Sequence, residues 1–151
     1  MSLSKLTLFY DEIYSSGLDR TARFPVDRYQ LLARKLFEHD YQNSIFLGNP
    51  RLATKEEILL VHEKSYIERF LNHQLKEDEI RRIGLRPWKD AIVERTLRLT
   101  GGALDALDCV LIDGHAISGN MAGGTHHAFF KEGAGYCIFN DLAICAEKAL
   151  Q

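Results

Sequence analysis

The sequence lacks the cysteine patterns that mark small metal-bound or disulfide-stapled domains. Its three cysteines are Cys109, Cys137 and Cys145, and none forms the closely spaced pair of a zinc knuckle. An odd number of cysteines also argues against a framework of disulfide bonds. A small cysteine-based scaffold is therefore excluded.

Long apolar runs and an excess of basic charge are missing as well. Charged residues interrupt every apolar run well before the roughly 18 residues that a membrane span requires. The first residues hold no long apolar stretch and no small-residue cleavage site of the secretory kind. The 19 basic and 21 acidic residues give a formal charge of −2, which argues against a protein that binds by neutralising phosphates. We therefore expect a cytoplasmic protein with no membrane and no nucleic acid among its partners.

Length and composition are those of a folded globular chain. The 151 residues fall within the ~100–200 that are usual for one domain. The content of 46% hydrophobic and 26% charged residues is far from a disordered composition. By this arithmetic the chain is long enough to form one domain with a buried core.

Hydrophobic periodicity predicts strands that alternate with helices. Strands are expected over residues 3–10 and 116–122, and helices over 26–39, 55–61, 64–72, 88–112 and 141–150. Loops are expected over 11–25 and 43–51, which hold Gly and Pro, and a solvated face or a loop is expected over the charged residues 76–82. Gly101 and Gly102 within the long helix indicate close packing against a neighbour. This order is typical of α/β proteins, so a mostly parallel sheet covered by helices is predicted.

Residues 120–141 carry the strongest indication of chemistry. Gly123 and Gly124 follow a predicted strand, and His126 and His127 come just after them. Loops at the carboxyl ends of parallel strands converge on a crevice where ligands bind. Glycines permit a tight corner there, and histidine titrates near neutral pH, which suits general acid–base work. Hydrogen bonding within a loop is the alternative role for the two histidines.

Three further predictions concern the titratable and thiol groups. Neighbouring side chains of an extended segment point to opposite sides, so His126 and His127 are expected to act on different atoms rather than grip one metal ion. His62 is expected to be a packed or solvent-facing residue of an amphipathic helix. Cys137 is expected to be a buried structural thiol, because reactivity requires a lowered pKa.

Two motifs together resemble the histone deacetylase superfamily. They are Gly-Gly-Thr-His-His-Ala at 123–128 and Gly-Tyr-Cys-Ile-Phe-Asn-Asp at 135–141, and they are most similar to the bacterial members. Weaker similarity covers residues 23–29, 57–70 and 83–88. The resemblance implies an arginase/deacetylase-like, three-layer α/β/α fold with a mostly parallel sheet. Residues 1–151 would then be the N-terminal portion of a single deacetylase-like domain, with an incomplete sheet.

The resemblance also implies a reaction. Family members hydrolyse an amide, usually an acetyl group on a lysine or polyamine nitrogen, with the help of zinc, which lowers the pKa of a bound water. By matching position, His126 and His127 would be the tandem histidines that act as general base and acid. Gly135 and Tyr136 would line the substrate tunnel, and the pair Asn140–Asp141 would support the loop and cap the last helix.

The same resemblance predicts that the zinc site is not made by this chain alone. In the family, two aspartates and a histidine bind zinc from segments that follow the helix matching 141–150, and an oxyanion-stabilising tyrosine comes later still. We therefore expect no metal-ligand set and no bound zinc in residues 1–151, and no activity of this chain by itself.

Three functional interpretations stay open from the sequence. The first is a zinc-dependent hydrolase that, as a full-length protein, acts on an acylated lysine, a polyamine or a small-molecule amide. The second is a non-catalytic interaction protein that retains the deacetylase-like front half, and the third is a truncated fragment. Because an incomplete sheet exposes apolar edges, an oligomer or a partner chain that covers it is also expected.

Overall fold

A computed structural model describes residues 6–38 and 44–151. The elements in chain order are β1 (Leu6–Phe9), α1 (Arg28–Glu38), β2 (Ile45–Gly48), α2 (Lys55–Ile58), α3 (Lys64–Leu71), α4 (Glu77–Ile83), α5 (Ala91–Leu111), β3 (Ser118–Asn120) and α6 (Asp141–Ala149). A 3₁₀ helix at Glu12–Ser15 lies within the predicted loop after β1. Residues 3–5 of the first predicted strand and His39 of the first predicted helix lie outside the described residues.

The three strands form one parallel sheet in the order β2–β1–β3. The central strand β1 pairs Leu6 with Ile45 on one side and Thr7 with Ser118 on the other. An α/β fold with a parallel sheet is therefore confirmed, although the sheet among the described residues is small. The segment that follows β3 leaves from the carboxyl edge of the sheet, which is the edge where parallel α/β proteins gather ligand sites.

The prediction of a plain connection over residues 43–51 was wrong, because this segment contains β2. Its four residues are too few to show the alternation of a strand, and their regular structure depends on hydrogen bonds to β1, a partner distant in sequence. The predicted strand over 116–122 is real but shorter. It is reduced to Ser118–Asn120, and all three residues are half-buried.

The charged segment 76–82 was predicted as a solvated face or a loop; it forms α4, so the solvated face is correct and the loop is wrong. Its acidic residues lie in the first turn and Arg81 and Arg82 in the last, an order that suits the helix dipole. Gly84 ends the helix in the left-handed conformation at φ 80°, where glycine has no steric penalty. The charge run is thus the exposed face of a capped helix.

The long helix α5 packs on β1, β3 and α6. A Cβ placed on Gly101 would lie 2.0 Å from the carbonyl oxygen of Arg51, so this glycine permits a close backbone approach. The N–H of Ala53 also donates to the carbonyl of Leu97 at 3.0 Å. The predicted close packing at the glycine pair is confirmed. No described helix, α5 included, combines the length and apolarity needed to cross a membrane.

One core cluster fixes the position of the last helix relative to the preceding ones. Its largest fully buried members are Ile58, Tyr66, Ile67, Phe70, Ile83, Leu85, Leu104, Phe139 and Ile144. The Tyr66 hydroxyl donates to the carbonyl of Ile138 at 2.8 Å. The segment that leads into α6 is thereby held against α3, which sets the place from which α6 starts.

An apolar groove of about 390 Å³ lies between α5, β3 and α6. Ala106, Val110 and Leu142 are among the side chains that line it. Leu142 is 54% exposed, and Ile117, next to β3, is 62% exposed. The described part of the chain therefore presents an uncovered apolar face beside β3, as the sequence predicts for an incomplete sheet.

Candidate active site

The loop after β3 turns on two glycines in conformations that other residues rarely adopt. Gly123 has φ 129° and Gly124 has φ 70°. A Cβ on Gly123 would lie 2.6 Å from a carboxylate oxygen of Asp141, so both space and backbone angle demand glycine. The loop can therefore fold tightly back over the start of α6.

Asp141 holds this loop through its carboxylate. Its Oδ2 accepts the N–H of Gly124 at 3.0 Å, and its Oδ1 accepts the N–H of Thr125 at 2.8 Å. In return, the backbone N–H of Asp141 donates to the Thr125 hydroxyl at 3.2 Å. Burial raises the pKa of Asp141, while the hydrogen bonds from Thr125 and Gly124 oppose that shift. The predicted supporting role of this residue is confirmed by these contacts.

The rings of His126 and His127 lie side by side. Their centroids are 4.2 Å apart, with 39° between the ring planes, and both residues are exposed. The expectation that the two side chains point to opposite sides was wrong, because the segment is not extended. The N–H of His126 donates to the carbonyl of Gly124 at 3.0 Å, which closes a tight turn at this point.

The hydrogen bond of the His126 ring restricts where its proton lies. Nδ1 is 2.7 Å from the carbonyl oxygen of Gly124. A carbonyl oxygen only accepts hydrogen bonds, so Nδ1 carries the hydrogen and Nε2 of the neutral ring is left with a free lone pair. Nε2 of His126 can therefore accept a proton as a base.

Gly135 lies against the ring of His127, and Tyr136 follows it in the chain. A Cβ on Gly135, whose φ is 53°, would lie 3.1 Å from Cγ of His127, so glycine lets the chain pass close to that ring. Tyr136 has φ 68°, an unusual value for a bulky residue. The N–H of Tyr136 donates to the carbonyl of Ile83 at 2.7 Å, and its ring lies 5.2 Å from that of Phe24. These contacts hold the tyrosine in place.

All four residues that the sequence predicts for the site border one cavity of about 290 Å³. They are His126, His127, Gly135 and Tyr136. The structure thus brings together two segments that are separated in sequence by the turn at 128–134. Their catalytic and substrate-binding roles stay predictions.

Cys137 also borders the cavity, but its thiol is not activated. The residue is 6% exposed, and burial raises the pKa of its thiol. A thiol with a raised pKa holds little thiolate near neutral pH. This agrees with the predicted structural role.

Asn140 and His62 form a second support beneath the histidine loop. The side-chain oxygen of Asn140 caps α6 by accepting the N–H of Ala143 at 3.0 Å, and its amide donates to the carbonyl of Ala128 at 3.2 Å. Nε2 of His62 accepts the backbone N–H of Asn140 at 2.9 Å. His62 is only 1% exposed, and burial lowers its pKa. It is therefore a packed neutral histidine, as one of the two predicted alternatives has it.

Replacing His62 with phenylalanine is expected to lower the free energy of unfolding by about 1–3 kcal/mol at pH 7, because the Asn140 N–H loses its acceptor. The wild-type protein loses stability as the pH falls below about 6.5, since the unfolded ring takes up a proton that the buried ring disfavours. The variant lacks this pH dependence, so the difference in free energy of unfolding between the wild type and the variant should narrow from pH 7 to pH 5. Urea unfolding at both pH values measures this difference, with His73→Asn at an exposed position as the control. An equal difference at the two pH values would contradict the prediction.

The side chains of the described residues do not by themselves fit a metal centre. No group of three or more His, Cys, Asp or Glu side chains within 6–38 and 44–151 comes together in a way that could hold an ion. His126, His127 and the buried Cys137 thiol supply the donor atoms that border the cavity. A zinc site next to this cavity therefore requires ligands beyond those described.

Two arginines border the same cavity: Arg28 belongs to the segment 23–29 whose resemblance implies a place near the inner cavity, whereas the sequence alone does not assign Arg95 to the site. Arg28 lies at the start of α1, and Arg95 lies on the buried face of α5. A signal for Arg95 is present in the sequence. It lies at helical spacing between Ile92 and Leu99, and a charged residue in such an apolar stripe is almost never fully buried unless it has a partner.

Comparisons with known proteins give one family model and several curated relatives. Residues 22–151 match the model of the histone deacetylase domain. An uncharacterized protein of Picosynechococcus sp. is 37% identical over 142 residues, which cover 94% of this chain and 46% of that protein. The acetoin utilization protein AcuC of Staphylococcus aureus is 34% identical over 106 residues, covering 65% of this chain and 27% of its own. AcuC of Staphylococcus xylosus is 30% identical over 132 residues, covering 82% and 34%. The chain thus spans less than half the length of these curated relatives.

Proposed function

The chain belongs to the histone deacetylase family, and we propose that the whole protein hydrolyses an N-acyl amide such as acetyl-lysine. The observation that carries the proposal is the pair of histidine rings, 4.2 Å apart, on the wall of a cavity at the carboxyl edge of a parallel sheet. Two bases at that distance from each other can act on one small substrate. An acylated polyamine or another small-molecule amide would offer the same bond.

In this proposal His126 and His127 move the proton of the reaction. One ring accepts a proton from the attacking water, and a proton returns to the amine nitrogen as the carbon–nitrogen bond breaks. The lone pair left on Nε2 of His126 supports a role as base. Asp141 and Asn140 keep the loop that carries both rings in one conformation.

Gly135 and Tyr136 bind the stem of the substrate in this proposal. Gly135 lets the chain approach His127 closely, and the Tyr136 ring, 37% exposed, offers an apolar surface to an acyl-lysine stem. The packing of Tyr136 on Phe24 supports a rigid wall. Rigid positioning of the substrate lowers the entropic part of the barrier.

Zinc is part of this proposal only because the chain belongs to the histone deacetylase family. When bound, it would polarise the acyl carbonyl and lower the pKa of a water molecule. Since the described side chains do not fit a metal centre on their own, we propose that its ligands come from the rest of the whole protein. The same remainder would cover the apolar groove beside β3.

An assay of the whole protein tests the function. We expect turnover of an acetyl-lysine peptide or an acetylated polyamine that is lost on chelation of zinc and restored by its return. We expect no turnover from residues 1–151 alone. A whole protein that binds zinc and hydrolyses none of these amides would favour a non-catalytic interaction protein, whereas turnover by the isolated chain would refute its predicted inactivity.

A further inference from the structure

Arg95 is a buried cation with an unsatisfied donor at the edge of the cavity. It is 4% exposed, and its Nε donates to the carbonyl of Tyr14 at 3.1 Å. Its Nη2 is enclosed by protein and has no hydrogen-bond partner among the described residues. A buried charged donor left without a partner is costly, and the Arg95 side chain borders the cavity, so a ligand acceptor bound there would lower the cost of burying this guanidinium.

Arg28 adds a second guanidinium to the same cavity. Its Cζ lies 5.2 Å from the centre of the Phe24 ring, and Cζ of Arg95 lies 5.9 Å from the same ring. Nη2 of Arg28 donates to the hydroxyl of Tyr29 at 2.8 Å. Both guanidinium groups therefore lie near the ring of Phe24, and the same ring packs on Tyr136. The two cations are thereby linked to the wall of the candidate active site.

No acidic side chain within residues 6–38 and 44–151 balances this pair. The described residues that border the cavity include neither Asp nor Glu. Neither Arg28 nor Arg95 takes part in an ion pair formed within 6–38 and 44–151. Burial lowers the pKa of the Arg95 guanidinium; Tyr29 and Tyr14 oppose that shift, and the charge of Arg28 adds to it more weakly. The cavity is thus electropositive and repels a cationic group while attracting an anion.

We propose that the cavity takes acyl groups whose chain ends in a carboxylate, such as the succinyl group of succinyl-lysine, and that Arg95 and Arg28 bind this carboxylate. The inference rests on the proposed function and specifies its substrate class. The volume of about 290 Å³ is at the lower end of small-molecule pockets, which suits a short acyl group. A planar guanidinium binds a carboxylate through two parallel hydrogen bonds.

The reaction itself is an ordinary amide hydrolysis. The oxygen of water bonds to the acyl carbon, the carbon–nitrogen bond breaks, and the amine nitrogen takes up a proton. The products are succinate and the free lysine amine, and no oxidant or reductant is involved. The distal carboxylate is unchanged, so its binding to the arginines contributes to recognition alone.

A matched pair of substrates tests the proposal on the whole, zinc-loaded protein. Succinyl-lysine and succinamyl-lysine peptides have the same shape and differ in the charge of the distal group. We expect kcat/KM to be at least about tenfold higher for the succinyl peptide, as charged hydrogen bonds to arginine imply. Arg95→Met and Arg28→Met should each lower that ratio about tenfold or more, whereas Arg95→Lys should retain part of it.

Arg34→Met is the control, because Arg34 is an exposed residue of α1 that does not border the cavity. It should leave the succinyl to succinamyl ratio unchanged. A purely structural role of Arg95 would lower turnover of both peptides equally and leave their ratio intact. That result would overturn the proposal, as would a wild-type ratio near one while acetyl-lysine is hydrolysed.

Binding of N-methylsuccinamate and N-methylsuccinamide, which differ only in a terminal carboxylate or amide, is measured by calorimetry on the same proteins and separates this proposal from the proposed function. If no acyl peptide is hydrolysed but N-methylsuccinamate binds at least about tenfold more tightly than N-methylsuccinamide, and Arg95→Met removes the difference, the carboxylate site stands while the hydrolase function fails. Equal binding of both compounds, together with no hydrolysis, overturns both.

Discussion

Replacing His126 or His127 with alanine in the whole protein is expected to lower kcat/KM by about 10²–10⁴-fold, the usual contribution of a general acid or base. Both rings border the cavity and face each other across 4.2 Å, so each can exchange a proton with the same substrate. If they act as one unit, the double variant should be little worse than the more damaging single variant. Steady-state kinetics on an acetyl-lysine peptide measures both effects.

The fold should survive these substitutions, because both side chains are exposed. We expect the free energy of unfolding to change by less than about 0.5 kcal/mol, as is usual for surface positions. His73→Asn, an exposed histidine away from the cavity, should leave kcat/KM unaffected. An undiminished rate in either alanine variant would refute the role assigned to that histidine.

Replacing Gly101 with alanine is expected to lower the free energy of unfolding by about 3 kcal/mol or more. In an open helix the same change would stabilise by about 1 kcal/mol, because alanine has the higher helix propensity. Here the added methyl would lie 2.0 Å from the carbonyl oxygen of Arg51 and 2.9 Å from the N atom of Ala53. Backbone atoms cannot turn aside as side chains can, so α5 and the segment before α2 must move apart.

Gly102→Ala, at the next position, tests whether a contact with side chains costs less stability than the contact with backbone at Gly101. Its methyl would meet the Tyr14 hydroxyl at 2.7 Å and the side-chain oxygen of Asn120 at 2.8 Å, both ends of side chains. We therefore expect a smaller loss of stability than at Gly101. Urea unfolding of both variants, measured at the same zinc content, gives the order of the two losses of stability. Equal losses, or a larger loss for Gly102→Ala, would contradict this prediction.

Local features of the fold could be read from the sequence because they depend on neighbours along the chain. Thr54 and Glu57 stand three residues apart, the spacing typical of a capping box, and they start α2, while Asn140 caps α6. The glycine pair within α5 marked a close backbone contact in advance. The positions of β2 and α4 were missed, because one depends on pairing with β1 and the other is a short helix whose charges resemble a solvated loop.

The sequence by itself determined the family, the α/β fold class and the loop that carries the two histidines, because these depend on short motifs and on periodicity. Only the tertiary structure brought both rings to the same side, since a tight turn replaces the extended segment. It also brought Arg28, Phe24 and Arg95 to the histidines from α1, the preceding loop and α5. Such convergence depends on how helices pack on the sheet, and this packing joins residues about 100 positions apart that no local pattern connects.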